Sequence, residues 1–319
     1  MKKMKKMKCT GILLCAISIL IPSGALAYDL PSVNLGFTSF MDGGPPAGPG
    51  FYYTQYLQYY SADQLNDKKG DEFPFPDPDL EAWVLLCQVI YQSDQELLLG
   101  GKWGLNFMLP YASLDMEYGA EGPFPSDNGA GFGDLLIGPF LQWDPVMGKN
   151  GPLFMHRVEL QMIFPTGKYD ENREINPGSN FFSFNPYWAG TFFITPRWTT
   201  SARIHYLWNG ENDDPNRGFG DADDSQAGQA VHLNFTSAYE VIPKVLRVGV
   251  NAYYLKQLTD TEAGGKDISG SKEQVLGIGP GLLWHMHPDR HLFFNAYFET
   301  EAENRPEGAR FNLRYVHHF

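Results

Sequence analysis

The sequence predicts an all-β fold, a transmembrane antiparallel up-and-down β-barrel of about twelve strands with long extracellular loops and short periplasmic turns. Three observations predict it. The final residues, Ala309 to Phe319, alternate without a break and stop on an aromatic. The first 27 residues have the build of a secretory signal peptide. Between the two ends, runs of alternating polarity are joined by links that switch regularly between long and short.

At the amino end, Lys2, Lys3, Lys5, Lys6 and Lys8 form a positive n-region, Ile12 to Ile21 an apolar stretch, and Ala25-Leu26-Ala27 a cleavage site. A signal peptide over 1–27 and a mature chain from Tyr28 are expected. The apolar stretch is too short for a lasting transmembrane helix. Leu14 precedes Cys15 where a lipoprotein signal needs a small residue, so lipidation is not expected. Cys9 and Cys15 leave with the signal; Cys87 is then alone, which rules out an intramolecular disulfide and a cysteine metal cluster. Losing five lysines and no acid moves the net charge from −13 to −18. Nucleic acid, which needs basic patches, is not a partner for such a chain. No mature segment offers the long apolar run of a membrane helix, so a membrane-spanning form has to be a closed barrel.

Residues 28–50 come next and are too rich in Pro and Gly for a spanning strand. Two readings stand: a disordered periplasmic leader, or a segment folded into the lumen as a partial plug. Leu35, Phe37, Phe40 and Met41 are too apolar for a free tail, which favours the plug.

The barrel is expected over 51–319. Candidate strands fall at 51–61, 81–92, 96–116, 134–144, 153–165, 181–194, 198–208, 227–241, 245–257, 273–286, 290–300 and 309–319. Some alternate cleanly: Val158, Leu160, Met162 and Phe164 oppose Arg157, Glu159 and Gln161. Others are weak. The run 81–92 is apolar on both faces, and Gly277, Gly279 and Gly281 share one face of 273–286, where they leave room for something packed inside. Long links are expected at 62–80, 117–133, 166–180, 209–226, 258–272 and 301–308. Tight turns are expected at Ser93-Asp94, Met147-Gly148-Lys149, Thr195-Pro196-Arg197, Ile242-Pro243-Lys244 and His287-Pro288-Asp289. That asymmetry belongs to outer-membrane barrels, long outside and short in the periplasm.

In the last strand Phe311, Leu313, Tyr315, His317 and Phe319 share one face, opposite Arg310, Asn312, Arg314, Val316 and His318. An apolar band faces lipid and a polar one faces the interior. Tyr315 and Phe319 are the candidate signal read by the barrel-assembly machinery.

The run Asn34-Leu35-Gly36-Phe37-Thr38-Ser39-Phe40-Met41-Asp42-Gly43-Gly44-Pro45-Pro46-Ala47-Gly48-Pro49-Gly50, followed by Tyr52, Tyr56-Leu57 and Tyr59-Tyr60, resembles the SphA-like family, whose members carry the label putative MetA-pathway phenol-degradation proteins. Further similar stretches are Tyr91-Gln92-Ser93-Asp94, Trp103-Gly104-Leu105-Asn106, Phe164 to Asp170, and Gly277-Ile278-Gly279-Pro280. The resemblance covers essentially the whole mature chain. It implies an outer-membrane barrel that passes hydrophobic, often aromatic, compounds toward catabolic enzymes. It brings no agreed binding residues.

From the register alone, Arg157, Glu159, Arg203, His205, Glu240, Arg247, Arg310, Asn312 and Arg314 are the lumen or constriction candidates. They read either as a polar constriction that orients a solute or as ion pairs that keep charge off lipid; for any single residue the second reading weighs more. Arg310 and Arg314 on one face suggest a positive ladder. Tyr52, Tyr56 and Tyr60 share a face, and with Phe37 and Phe40 they are candidates for a hydrophobic solute path or for plug packing.

The acidic loops, with Asp213, Asp214, Asp221, Asp223 and Asp224 in one, lack the spacing of a Ca²⁺-binding hand, and solvated loops account for them. No cofactor, metal site or enzymatic activity is expected. None of the histidines sits in a nucleophile motif, which leaves a barrel lipid hydrolase the weaker alternative and a purely structural or surface-interaction barrel an open one. The expected partners are lipopolysaccharide and outer-membrane lipids, the assembly machinery, and small hydrophobic or aromatic solutes. The expected location is a Gram-negative outer membrane, reached by export with a cleaved signal.

Overall fold

The computed structural model describes residues 30–45 and 47–319. The expected signal peptide over 1–27, with its cleavage site, Cys9 and Cys15, lies outside them. The backbone hydrogen bonds run round a wall and close on themselves. The first strand (Gly50–Leu65) pairs with the second (Asp79–Leu98) on one edge and with the twelfth (Pro306–His318) on the other. The third is Gly101–Glu117. The fourth is broken into Ala130–Phe132, Leu135–Gln142 and Val146–Gly148, the fifth into Gly151–Glu159 and Met162–Phe164, and the sixth into Ser183–Phe184 and Tyr187–Phe193. The wall continues through the seventh (Trp198–Asn209), eighth (Ala230–Ile242), ninth (Leu246–Gln257), tenth (Gln274–His287) and eleventh (Arg290–Glu303). Every pairing along the wall is antiparallel, and closure leaves no free edge. The predicted twelve-stranded up-and-down barrel is what forms.

Alternation decides which way each side chain points, because successive residues of a strand face opposite sides of the sheet. On the first strand Tyr52, Thr54, Tyr56, Gln58 and Tyr60 are buried inside, while Phe51 and Leu57 are exposed outside. Leu57, Leu85, Val250, Ile278 and Leu313 belong to an exposed apolar belt. Outward aromatic contacts flank it: Phe51 with Tyr91 and Tyr91 with Trp103 at one rim, Tyr59 with Trp83 and Phe298 with Phe311 at the other. A belt of exposed Leu, Ile and Val between aromatic rings would be unstable against water and suits a bilayer. Cys87 is exposed on this outer face.

Two connections depart from expectation. The second strand does not turn at Ser93-Asp94. It runs on to Leu98 through a register shift between Gln92 and Glu96, and the chain reverses at Leu99 and Gly100, both at positive φ. Ser93 instead belongs to the irregularity, its Oγ accepting from Gln95 N at 3.0 Å. The link expected to be long over 301–308 is two residues, Asn304 and Arg305, between strand ends Glu303 and Pro306. Asn304 takes positive φ, and its amide donates to the carbonyls of Gly270 and Lys272, which pins this turn to the neighbouring loop.

The remaining outer loops are tied to one another. Four short strands, Glu211–Asn212, Ser225–Gln226, Glu262–Ala263 and Lys266–Asp267, make a small separate sheet. Arg217 donates to both Glu174 carboxylate oxygens, at 2.5 and 3.1 Å.

Candidate functional site in the barrel lumen

Residues 30–45 and 47–49 lie inside the barrel, touching inward side chains from strands on every side of it. Gly36 N donates to Asn234 Oδ1 on the eighth strand at 3.0 Å, and Asn312 Nδ2 on the twelfth donates to Gly36 O at 2.6 Å. Gly43 N donates to Thr191 Oγ1 on the sixth strand, and Gln142 Nε2 on the fourth donates to Gly43 O. Asp42 accepts from Arg203 Nε and Nη2 on the seventh strand at 2.6 and 2.7 Å. Backbone groups inside a barrel need partners, and polar wall side chains supply them.

Two glycines permit this approach. A Cβ on Gly36, whose φ is +79°, would stand 2.6 Å from the Tyr297 ring; one on Gly43 would stand 2.4 Å from Met155 O and Thr191 N. Apolar residues of the segment fill the gaps between: Leu30 and Leu35 pack with Leu207, Tyr253 and Leu255, while Phe40 packs with Tyr52, Leu283 and Phe293. Phe37 meets Tyr56 edge-on at 5.7 Å.

The wall's own polar residues form two networks. In one, Tyr56 Oη donates to Gln88, Gln88 to Asn106 and Asn106 to Glu159, each at 2.9 Å, and Tyr187 Oη donates to the other Glu159 oxygen at 2.6 Å. This chain crosses from the first strand to the sixth. Gly138 on the fourth leaves the space, since a Cβ there would meet Glu159 Oε1 at 2.2 Å. In the other, Glu299 accepts from Tyr60, Tyr253 and Arg310 at 2.8, 2.6 and 3.1 Å, and the Arg310 guanidinium lies 3.9 Å over the Tyr60 ring. Buried charge is tolerable when paired and hydrogen-bonded in this way.

Arg157 lies beside Glu159 at 4.0 Å and 3.9 Å over Phe140. His205 stacks on His232 at 4.1 Å. Arg247 faces Glu240 at 3.5 Å. Asn312 holds Gly36, and Arg203 holds Asp42. The positive ladder of Arg310 and Arg314 does not form, because Glu299 neutralises Arg310 while Arg314 stacks on Phe293 at 3.6 Å. The room left by Gly277 and Gly281 is taken by wall residues: a Cβ would strike Tyr253 at the first and Asn251 at the second. Tyr315 is half-buried on the outer face and Phe319 is exposed. Glu299, Tyr253 and Asp42 were not singled out from the sequence. Alternation offered a signal for Glu299, which shares the inward face of its strand with Asn295 and Tyr297.

The interior is not filled. A cavity of about 470 Å³ lies between the inner segment and the wall, lined by Phe37, Tyr56, Leu86, Met108, Ile163 and Phe293 among others. A second, of about 200 Å³, lies toward the outer loops and is lined by Leu30, Tyr60, Leu80, Ala82, Met116 and Ile175. Ser32 and Val84 line both, so the two spaces lie on either side of that pair.

A family profile described as "Putative MetA-pathway of phenol degradation" matches residues 62–315. No sequence among curated proteins matches. The COG4313 outer membrane channel from Pseudomonas putida F1 superposes with a TM-score of 0.74 at 17% identity, covering 90% of this chain and 100% of that one. The β domain of the Bordetella autotransporter Brka gives 0.47 at 11%, over 85% and 100%. A TodX monoaromatic hydrocarbon channel variant gives 0.46 at 9%, over 86% and 91%. The first likeness shows a shared outer-membrane barrel fold; the other two are too low to add to it.

Proposed function

The chain belongs to the family described as "Putative MetA-pathway of phenol degradation", and on that premise we propose that it is an outer-membrane channel passing small hydrophobic or aromatic compounds into the periplasm by passive diffusion. One observation carries the reading: beside the inner segment runs a ring-lined space of about 470 Å³ that the side chains leave open, with a second cavity on the other side of Ser32 and Val84. A lumen built only for stability would be packed to the density of a protein core. Aromatic and aliphatic walls with a few polar groups suit a solute that carries a ring. The fold shared with an outer membrane channel supports the same reading.

In this account residues 30–49 act as a partial plug that narrows the lumen, and the solute passes along the first to third strands. The chain is exported with a cleaved signal, its apolar belt meets outer-membrane lipids and lipopolysaccharide, and Tyr315 and Phe319 carry the assembly signal. Passage needs no energy input and no catalytic step. The interior histidines His205 and His232 stack on each other, which is support for a structural rather than a serine-activating role.

Uptake of labelled phenol, toluene, a long-chain fatty acid and a sugar into liposomes carrying the refolded protein tests this. Aromatic compounds should cross faster than into empty liposomes, and the sugar should not. Equal passage of sugar would make it a general porin. No passage of anything through a folded barrel would point to a structural or surface role.

A further inference from the structure

The inward arginines of the wall differ in one respect. Arg157, Arg203, Arg247 and Arg310 each lie within 4.0 Å of a carboxylate. Arg314 lies near none among the described residues. It is 7% exposed, its buried Nε meets no hydrogen-bond partner, and its guanidinium carbon lies 3.6 Å from the Phe293 ring centroid. It lines the larger cavity, together with Phe37, Tyr56, Leu86, Phe293 and Val316. Stacking on a ring satisfies one face of a guanidinium, and its edge faces the Tyr56 side chain and the cavity. A cation taken out of water without a counter-charge is costly, so an anion entering the cavity beside Arg314 would be favoured there.

We propose that Arg314 is the anion-binding residue of a luminal subsite for small aromatic monocarboxylates of about benzoate size. The guanidinium edge offers two parallel N–H donors, the geometry a carboxylate accepts. The surrounding rings and Leu86 take the aromatic body. A neutral phenol would fill the apolar part and leave the charge uncompensated; a small aliphatic acid would satisfy the charge and leave the apolar walls unfilled. This subsite rests on the channel reading and narrows the solutes that dwell in the channel.

Isothermal titration of the folded barrel in detergent, at neutral pH with benzoate, phenol and acetate, tests the proposal. Folding of each variant is checked by its heat-modifiable gel mobility. Benzoate should bind saturably and at least tenfold tighter than phenol or acetate. In Arg314→Gln the ratio of benzoate to phenol affinity should fall about tenfold, and Arg314→Lys, which keeps the charge but loses the fork, should fall between. Should Arg314→Gln not fold, Arg314→Lys and Phe293→Leu must each lower the same ratio. Absence of saturable benzoate binding, an unchanged ratio in the folded variants, or acetate binding as tightly as benzoate would overturn the subsite. Phenol influx into wild-type liposomes, measured alongside, separates the two failures. Influx without a benzoate site sinks the subsite alone; no influx sinks the channel reading and the subsite together.

Discussion

Asp42 and Arg203, 161 positions apart in the chain, meet inside the barrel in a two-pronged ion pair, with donor–acceptor distances of 2.6 and 2.7 Å. The Arg203 guanidinium also lies 4.1 Å from the Tyr187 ring centroid, so it is clamped between the wall and the inner segment. Among the described residues of the inner segment, Asp42 is the one that makes an ion pair with the wall. Asp42→Asn leaves Arg203 buried beside a neutral group, which costs about 3–5 kcal/mol. The segment should then become open to protease in the folded barrel, and Asp42→Asn combined with Arg203→Met should recover part of the loss.

Deleting residues 30–48 removes the material that narrows the lumen. Single-channel conductance of the refolded variant in planar bilayers should rise above the wild-type value. Unchanged conductance from a folded barrel would mean that the segment does not obstruct the path.

Glu299 serves Arg310, Tyr60 and Tyr253 at once. Glu299→Gln keeps the shape but strips the counter-charge from Arg310, so the midpoint of urea unfolding in detergent should drop, by a stability loss of about 3–5 kcal/mol. Tyr60→Phe removes one neutral-to-charged hydrogen bond and should cost less, about 1–3 kcal/mol.

The outer loops carry a pH dependence of known sign. Partial burial pushes the Glu174 carboxyl up, and hydrogen bonds from Arg217 and Ser126 N outweigh it, holding the group below the ordinary carboxylate range. A group depressed in the folded state stabilises above its unfolded value and loses that contribution as pH falls through the folded value. Protection of the Ser126 amide, taken relative to the intrinsic exchange rate at each pH, should therefore fall on acidification below the carboxylate range, and Glu174→Gln should flatten the response. Protection that is equally pH-dependent in the variant would assign the effect to another group.

Strand number and facing were legible because period-2 alternation is local: the inward placement of Arg157, Arg247, Arg310 and Arg314 follows from their neighbours along one strand. Pairing was not legible, since it depends on register between strands. The route from Tyr56 through Gln88 and Asn106 to Glu159 crosses four strand boundaries and the space beside Gly138, none of which a single strand reveals. Asp42 sits in an irregular segment with no periodicity to place it. The turn at Leu99-Gly100 was obscured because Ser93-Asp94 has turn-like residues and serves a register shift instead. The short Asn304-Arg305 turn was read as a loop because polar residues flank it on both sides.

On the proposed route, solute passes through the space between the inner segment and the first strands and on past Ser32 and Val84, which line both cavities. Val84→Trp places a large ring between the two cavities from the second strand. Phenol influx into liposomes carrying this variant, with folding checked by heat-modifiable gel mobility, should fall close to that of empty liposomes. Wild-type influx through the folded variant would contradict the account.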